Sequence, residues 1–202
     1  MQRFTRAESQ QRTRERILSA AAVLFLGNGF RATSIGQVAD AAGFSHGAVY
    51  SNFAGKTELG LAVIDLLYER EAAVLQQQFN ESSATWESML EIFSAWGAAT
   101  IGDIRWARLE LDVMAAASDD EEIREANALR YARLRATGAA VLSAVAERAG
   151  IELPADPNDL MIGALALALG LGLQRAADPA IPGSHIAMFL AALLPPAARP
   201  DT

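Results

Sequence analysis

Apolar residues recur every three or four positions along almost the whole chain, and no segment alternates strictly between apolar and polar residues. This spacing is typical of α-helices, which have 3.6 residues per turn, whereas strands alternate with a period of two. The pattern therefore predicts an all-α fold. A first helix over about residues 12–27 carries Ile17, Ala21, Leu24 and Phe25 on one stripe, and Gly29 ends it.

Short helices are expected next, followed by long ones. Ser34 and Gln37 form a capping-box pattern at the start of a second helix that ends at Gly43, and Ser45 can cap a third that runs to about residue 52. A fourth helix is predicted from about 56 to 79. Five more are predicted near 83–101, 104–117, 119–149, 157–177 and 184–194.

The second and third predicted helices have the spacing of a helix-turn-helix. Two short helices joined by one turn cross steeply, so the residue at the crossing has to be small, and Ala39 is. Gly43 can adopt the left-handed turn conformation that side chains disfavour. Val49, six residues further on, is expected to point back into the core of this motif.

Charge is distributed unevenly along the chain. The net charge is −7, yet residues 1–56 hold seven basic and three acidic residues, a net +4, and the remainder is −11. A basic segment beside an acidic remainder is what a chain shows when one end binds a polyanion. Chance clustering on a solvated surface is the alternative.

Composition excludes several other functions. The chain has no cysteine and only two separated histidines, His46 and His185, so neither disulfides nor a transition-metal site is expected, and no cofactor is predicted. The polar N-terminus shows no signal peptide, which favours the cytoplasm. The apolar run 160–173 is shorter than the roughly 18 residues of a membrane span, so a buried helix and no membrane partner are expected.

From about Thr13 to Val63 the chain shows a first helix ending in GNGF, a Thr-Ser start to the second, a G-F-S-x-G-x-x-Y-x-x-F third helix and a Lys opening the fourth. In these features the segment resembles the tetracycline-repressor (TetR) family of one-component regulators. Beyond Val63 the likeness is limited to the number and length of helices. The family's ligand-binding residues therefore cannot be transferred to this chain.

The resemblance implies a DNA-binding role for a defined set of residues. Phosphate contacts are implied for Thr33, Tyr50 and Lys56, and major-groove contacts for Ser45, His46, Gly47, Ser51 and Asn52. Thr33 and Ser34 are expected to cap the second helix, and phosphate contact by either would be an additional role. Tyr50 could instead fill the three-helix core, and His46 could be a solvated first-turn residue. Lys56 is the only lysine, and its charge opposes the dipole of a helix N-terminus, so a phosphate partner explains it better than helix stability.

These observations divide the chain into two predicted domains. Residues 1–55 form a helix-turn-helix DNA-binding domain, in which 1–11 are a flexible basic arm. Residues 56–202 form a helical domain for ligand sensing and dimerisation.

Aromatic residues cluster in the first part of the second domain. Trp86, Met89, Phe93 and Trp96 repeat at three or four residues and so share one helix face. Together with Trp106 and Glu110 they are the candidate lining of an effector site, for a lipophilic and possibly cationic molecule. A purely structural core and a solvated Glu110 are the alternatives.

The predicted helix 157–177 is apolar around most of its circumference. This suggests burial both in its own domain and against a second copy of the chain. The candidate interface residues are Gly163, Leu167, Gly170, Gln174 and Phe189. A helix buried wholly within one chain is the alternative.

Together these features predict a ligand-responsive transcriptional repressor. It binds a palindromic operator in double-stranded DNA as a homodimer and is released by a small-molecule effector. An enzyme is the main rival, but the chain has no nucleophile motif, metal-ligand cluster or Gly-rich phosphate loop. The other rival is a structural DNA-binding protein that senses no ligand.

Overall fold

The computed structural model describes residues 5–83, 85–101, 103–118 and 120–193, with only the backbone of Trp86, Leu190 and Leu193. These residues contain helices and no strand, which confirms the predicted all-α class. The α-helices of this part are α1 (Arg6–Asn28), α2 (Ile35–Ala42), α3 (His46–Tyr50), α4 (Lys56–Glu81), α5 (Trp86–Trp96), α6 (Ile104–Ala117), α7 (Glu121–Ala149), α8 (Pro157–Ala177) and α9 (His185–Leu193). A π-helical segment, Gly97–Ile101, follows α5.

The helices form two compact units. The first comprises the chain up to Leu67 together with Arg108–Asn127, and the second comprises Tyr68–Ala107 and the chain from Ala128 onward. Helices α4, α6 and α7 each contribute residues to both. The first compact unit therefore extends beyond the predicted domain boundary at residue 55. It includes the start of α4, whose side chains Leu59 and Ile64 are buried.

Helix α1 begins earlier than the apolar pattern indicates. The hydroxyl of Thr5 accepts a hydrogen bond from the Glu8 amide at 3.2 Å, and the Glu8 carboxylate accepts one from the Thr5 amide at 2.7 Å. This capping box starts the helix at Arg6, and the same bonds lower the pKa of Glu8. Residues 6–11, expected to belong to a flexible arm, are therefore helical, while residues 1–4 lie outside the described residues.

The helix-turn-helix follows the sequence prediction closely. Ser34 and Gln37 form the predicted capping box at the start of α2. Gly43 has φ +73°, in the left-handed region, and lets the Phe44 amide donate back to the Ala39 carbonyl at 2.9 Å. The Ser45 hydroxyl caps α3 by accepting from the Ala48 amide at 3.3 Å. The predicted turn between two capped helices is confirmed.

The core of the first unit forms where these helices meet. The first three helices and the residues just after them contribute buried apolar side chains: Ile17, Ala21, Phe25, Val38, Ala39, Val49 and Phe53. Phe25 and Phe30 meet edge to face, with ring centroids 5.2 Å apart. This packing fixes which side of α3 is left to face solvent.

In the second unit, α8 begins as predicted, with Asp156 as the N-cap and Pro157 in the first turn. Buried Ile101, Leu171 and Ile186 form a cluster there. Most of α8 nevertheless lies outside this cluster, because only 11% of its most apolar 18-residue stretch is buried within the chain. Within the described residues α8 alone is long and apolar enough to cross a bilayer, a test that the core helix of a soluble protein also passes.

Candidate nucleic-acid interface and ligand site

Helix α3 presents a polar, accessible face. Ser45, His46 and Gly47 are exposed at its first turn, and Ser51 is exposed where it ends. Tyr50 is 56% exposed, so it does not fill the three-helix core that Val49 enters. Small and hydrogen-bonding side chains on a short, protruding helix are suited to entering the major groove.

The imidazole of His46 packs against α2. A methyl group at Gly36 would lie 2.7 Å from Nε2 of His46, so the imidazole would have to move to admit it. Gly36 therefore leaves room for the ring beside α2. The sequence marked His46 but gave no indication of its partner, because the contact depends on the crossing of α2 and α3.

The end of α3 is fastened by its own side chains. The Ser51 hydroxyl and the Asn52 amide both donate to the Ala48 carbonyl, at 2.9 and 2.8 Å. These bonds use donors that base recognition would also need, while the oxygens of both side chains can still accept. Contact with a base donor requires less rearrangement here than contact with a base acceptor.

Thr33 occupies a different position from the one that the resemblance implies. It is 1% exposed, and its hydroxyl donates to the Gly29 carbonyl at 2.9 Å and lies 3.3 Å from the Leu24 carbonyl. The N-cap of α2 is Ser34 alone. Phosphate contact through the Thr33 side chain is therefore corrected to an internal role, because its hydroxyl holds the α1–α2 loop to the end of α1.

Lys56 reaches back to the α1–α2 loop. Its Nζ donates to the Arg31 carbonyl at 3.1 Å and lies 4.6 Å from the centroid of the Phe30 ring. Partial burial lowers the pKa of Lys56, and the nearby Asp112 carboxylate opposes that shift. Asp112 itself pairs with Arg31 at 2.8 Å. The only lysine of the chain is thus held beside the loop that leads into the DNA-binding motif.

Two arginines of α1 hold the helix-turn-helix, and the sequence singled out neither. Arg14 donates to the Asn52 carbonyl at 2.7 Å and lies over the Phe53 ring at 4.1 Å. Arg16 donates to the Ala42 carbonyl at 2.9 Å and lies over Phe44 at 4.8 Å. Both guanidinium groups donate to carbonyls at helix ends, so side chains of α1 are bonded to the end of each helix of the motif.

In the second unit a carboxylate accepts hydrogen bonds from one of the predicted aromatic residues and from a nearby threonine. Trp96 Nε1 donates to Glu71 Oε2 at 3.0 Å, and the Thr100 hydroxyl donates to the same oxygen at 2.7 Å. Phe93 lies 6.5 Å from Trp96 between ring centroids and 5.4 Å from Phe79. Met89 is buried. The structure therefore bonds Trp96, which packs beside Phe93, to an acid that the sequence did not select.

Trp106, Glu110 and Trp86 are the other residues predicted to line the effector site. Trp106 packs edge to face on Tyr68, with centroids 5.1 Å apart. Glu110 belongs to the first unit and is fully buried, so the solvated alternative does not hold. The side chain of Trp86 lies outside the described residues.

The predicted interface residues differ in how far the chain itself covers them. A methyl group at Gly163 or Gly170 would meet no atom within 4 Å, and Gln174 is exposed. Phe189 is 43% exposed, whereas Leu167 packs against the cluster of Ile101, Leu171 and Ile186. Four large apolar side chains of α8 and α9 stand in solvent: Ile162, Leu173, Met188 and Phe189.

Fold and site together define a helix-turn-helix DNA-binding protein with a second helical unit. Residues 17–63 match the family model of bacterial regulatory proteins of the tetR family, and residues 85–195 match that of the C-terminal domain of BetI-type transcriptional repressors. The chain belongs to the TetR family of transcriptional regulators. Members of this family are soluble DNA-binding proteins, generally ligand-responsive repressors that act as dimers, and they are not enzymes.

Individual relatives support this assignment over different lengths. The HTH-type transcriptional regulator AcrR of Shigella flexneri is 44% identical over 59 residues, which are 29% of this chain and 27% of that protein. A transcriptional regulator from Rhodococcus sp. RHA1 has the same fold, with a TM-score of 0.76 at 20% identity over 90% of this chain and 95% of the other. A regulator from Saccharomonospora viridis, solved in complex with choline, has a TM-score of 0.63 at 20% identity over 90% and 95%.

Proposed function

We propose that this protein is a cytoplasmic repressor that binds a palindromic operator as a homodimer and releases it when a cationic, lipophilic effector binds the second unit. The proposal that this protein binds DNA rests on the exposed polar face of α3. The helix-turn-helix that carries this face has capped helices and a buried apolar core. Ser45, His46, Gly47, Ser51 and Asn52 are the proposed base-contacting residues. Ser34, Tyr50 and Lys56 are the proposed phosphate contacts.

Replacing a phosphate contact should affect all DNA sequences alike. We expect Lys56→Ala to weaken binding to operator and random duplex by the same factor, and to reduce the salt dependence of log K by about 2 for a dimer. Ser51→Ala should change base preference instead. Both variants can be measured by gel shift on an operator selected from random DNA, with the exposed Arg70→Ala as the control for lost charge. Equal wild-type affinity for operator and random DNA would refute operator recognition.

The effector half rests on Glu71 and its aromatic neighbours. Tryptophan and phenylalanine faces attract organic cations, and a carboxylate beside them supplies the opposite charge. Trp96 and Thr100 both donate to Oε2 of Glu71. A carboxylate can accept further hydrogen bonds through its other oxygen. The choline bound to the Saccharomonospora viridis regulator shows that a protein of this fold can hold a quaternary ammonium ion. We place the effector against Glu71, Phe93 and Trp96.

Helix α4 gives a continuous route for the response. It carries Lys56 in the first unit and Glu71 in the second. An effector changes DNA affinity only by binding better to one arrangement of the dimer than to another. Displacement of α4 by the effector would move Lys56 and separate the two α3 helices differently.

Removing the charge of Glu71 should weaken cation binding without removing its hydrogen-bond acceptor. We expect Glu71→Gln to raise the Kd for choline, followed by tryptophan fluorescence, about tenfold or more, while Glu69→Gln on the exposed side of α4 changes little. Operator DNA should weaken choline binding by the factor by which choline weakens operator binding. Identical titrations for the two variants, or no response to choline in the wild type, would exclude this site for quaternary ammonium ligands.

A further inference from the structure

A groove in the first unit joins the start of α1 to the end of α3. It has a volume of about 220 Å³ and is lined by Ala7, Gln10, Gln11, Arg14, Ser51 and Asn52. Two of its lining residues are joined directly, because Arg14 donates to the Asn52 carbonyl at 2.7 Å. We infer that this groove binds the phosphate backbone beside the half-site, so that α1 contributes a second set of DNA contacts. The inference rests on the proposed operator binding.

The chemistry of the lining suits an anion. None of the six residues is acidic, and the side chains of Gln10 and Arg14 offer hydrogen-bond donors, whereas those of Ser51 and Asn52 donate to the Ala48 carbonyl. Arg6 is exposed one turn before Gln10, so both extend the stripe that ends at Arg14. Gln11 differs from Gln10, because its amide donates to Glu15 at 2.9 Å. Gln10 is therefore the lining residue best placed to contact a phosphate.

The dimensions of the duplex favour its backbone over its bases. A helix with its side chains is about 10–12 Å across, and the major groove is about 12 Å wide. A recognition helix thus fills the groove, and a helix packed beside it lies over the flanking phosphates. Residues of α1 that share a groove with Ser51 and Asn52 occupy that position. Contacts there position the protein without reading sequence.

A lysine at Gln10 provides a gain-of-function test. We expect Gln10→Lys to strengthen binding to operator and random DNA alike, and to steepen the salt dependence of log K by about 2 per dimer, since one counterion is released per new contact. Ser19→Lys adds the same charge at an exposed position on the opposite face of α1 and is the matched control. Gln10→Glu should weaken both complexes about tenfold.

Three outcomes would overturn the inference. Equal salt dependences for Gln10→Lys and Ser19→Lys would show a general charge effect. An unchanged affinity for Gln10→Lys and Gln10→Glu would show that DNA does not reach the groove, and a changed base preference would place bases there. In each case wild-type binding to the selected operator is measured in parallel. Specific wild-type binding together with one of these outcomes would refute the groove contacts and leave operator recognition intact. Circular dichroism confirms that the variants fold.

Discussion

A Gly170→Asp variant is expected to sediment as a monomer at micromolar concentration and to lose at least 100-fold in operator affinity. Gly170 lies on α8, the helix that also exposes Ile162 and Leu173, and we propose that this surface packs against a second copy. An unpaired charge in such an apolar contact costs several kcal/mol. A monomer engages one half-site only, so operator binding should fall with dimerisation.

This substitution separates dimerisation from folding. A Cβ atom added at Gly170 meets nothing within 4 Å, so we expect the fold of one subunit to tolerate the substitution. Leu129→Asp is the control, since Leu129 is a 63% exposed apolar residue of α7 outside the proposed interface. Sedimentation velocity should give a dimer for Leu129→Asp. A Gly170→Asp protein that stays dimeric would move the interface elsewhere.

The second large effect is expected at Gly97, where the π-helical segment begins. A methyl group there would collide with Cγ2 of buried Ile186 and lie 2.9 Å from the Gly183 carbonyl oxygen. Neither neighbour can move freely, because one is a buried β-branched side chain and the other is backbone. Overpacking of this kind costs about 1–3 kcal/mol, so Gly97→Ala should lower the free energy of unfolding measured in urea.

Gly27→Ala is the matched control for this prediction. Gly27 lies within α1, and a methyl group there meets nothing within 4 Å. Alanine is the better helix former, so this variant should be unchanged or about 0.5–1 kcal/mol more stable. Equal unfolding midpoints for the two variants would mean that the Gly97 contact relaxes without cost.

Local signals gave reliable helix boundaries. Ser34 with Gln37, and Asp156 with Pro157, lie at the starts of α2 and α8 as predicted, because a cap satisfies amides within the same few residues. The apolar pattern predicts too late a start for α1. Its first turns are polar, so apolar periodicity does not register them, yet the Thr5–Glu8 capping box is also local and could have been read from the sequence.

The π-helical segment could not be predicted in this way. Residues 97–101 continue the apolar pattern of α5, and the sequence extends one helix across them. What distinguishes Gly97 is its close contact with Gly183 and Ile186, nearly ninety positions later in the chain. No local pattern carries that information.

The sequence by itself determined the helical class, the helix-turn-helix and the chemistry of the exposed α3 residues, because periodicity, caps and a glycine turn act over fewer than about ten residues. Only the tertiary structure decided which polar groups face one another. It buried the Thr33 hydroxyl and the Glu110 carboxylate, and it set Glu71 beside Trp96, 25 positions away. Such pairings follow from how helices pack, and helix packing depends on the whole core.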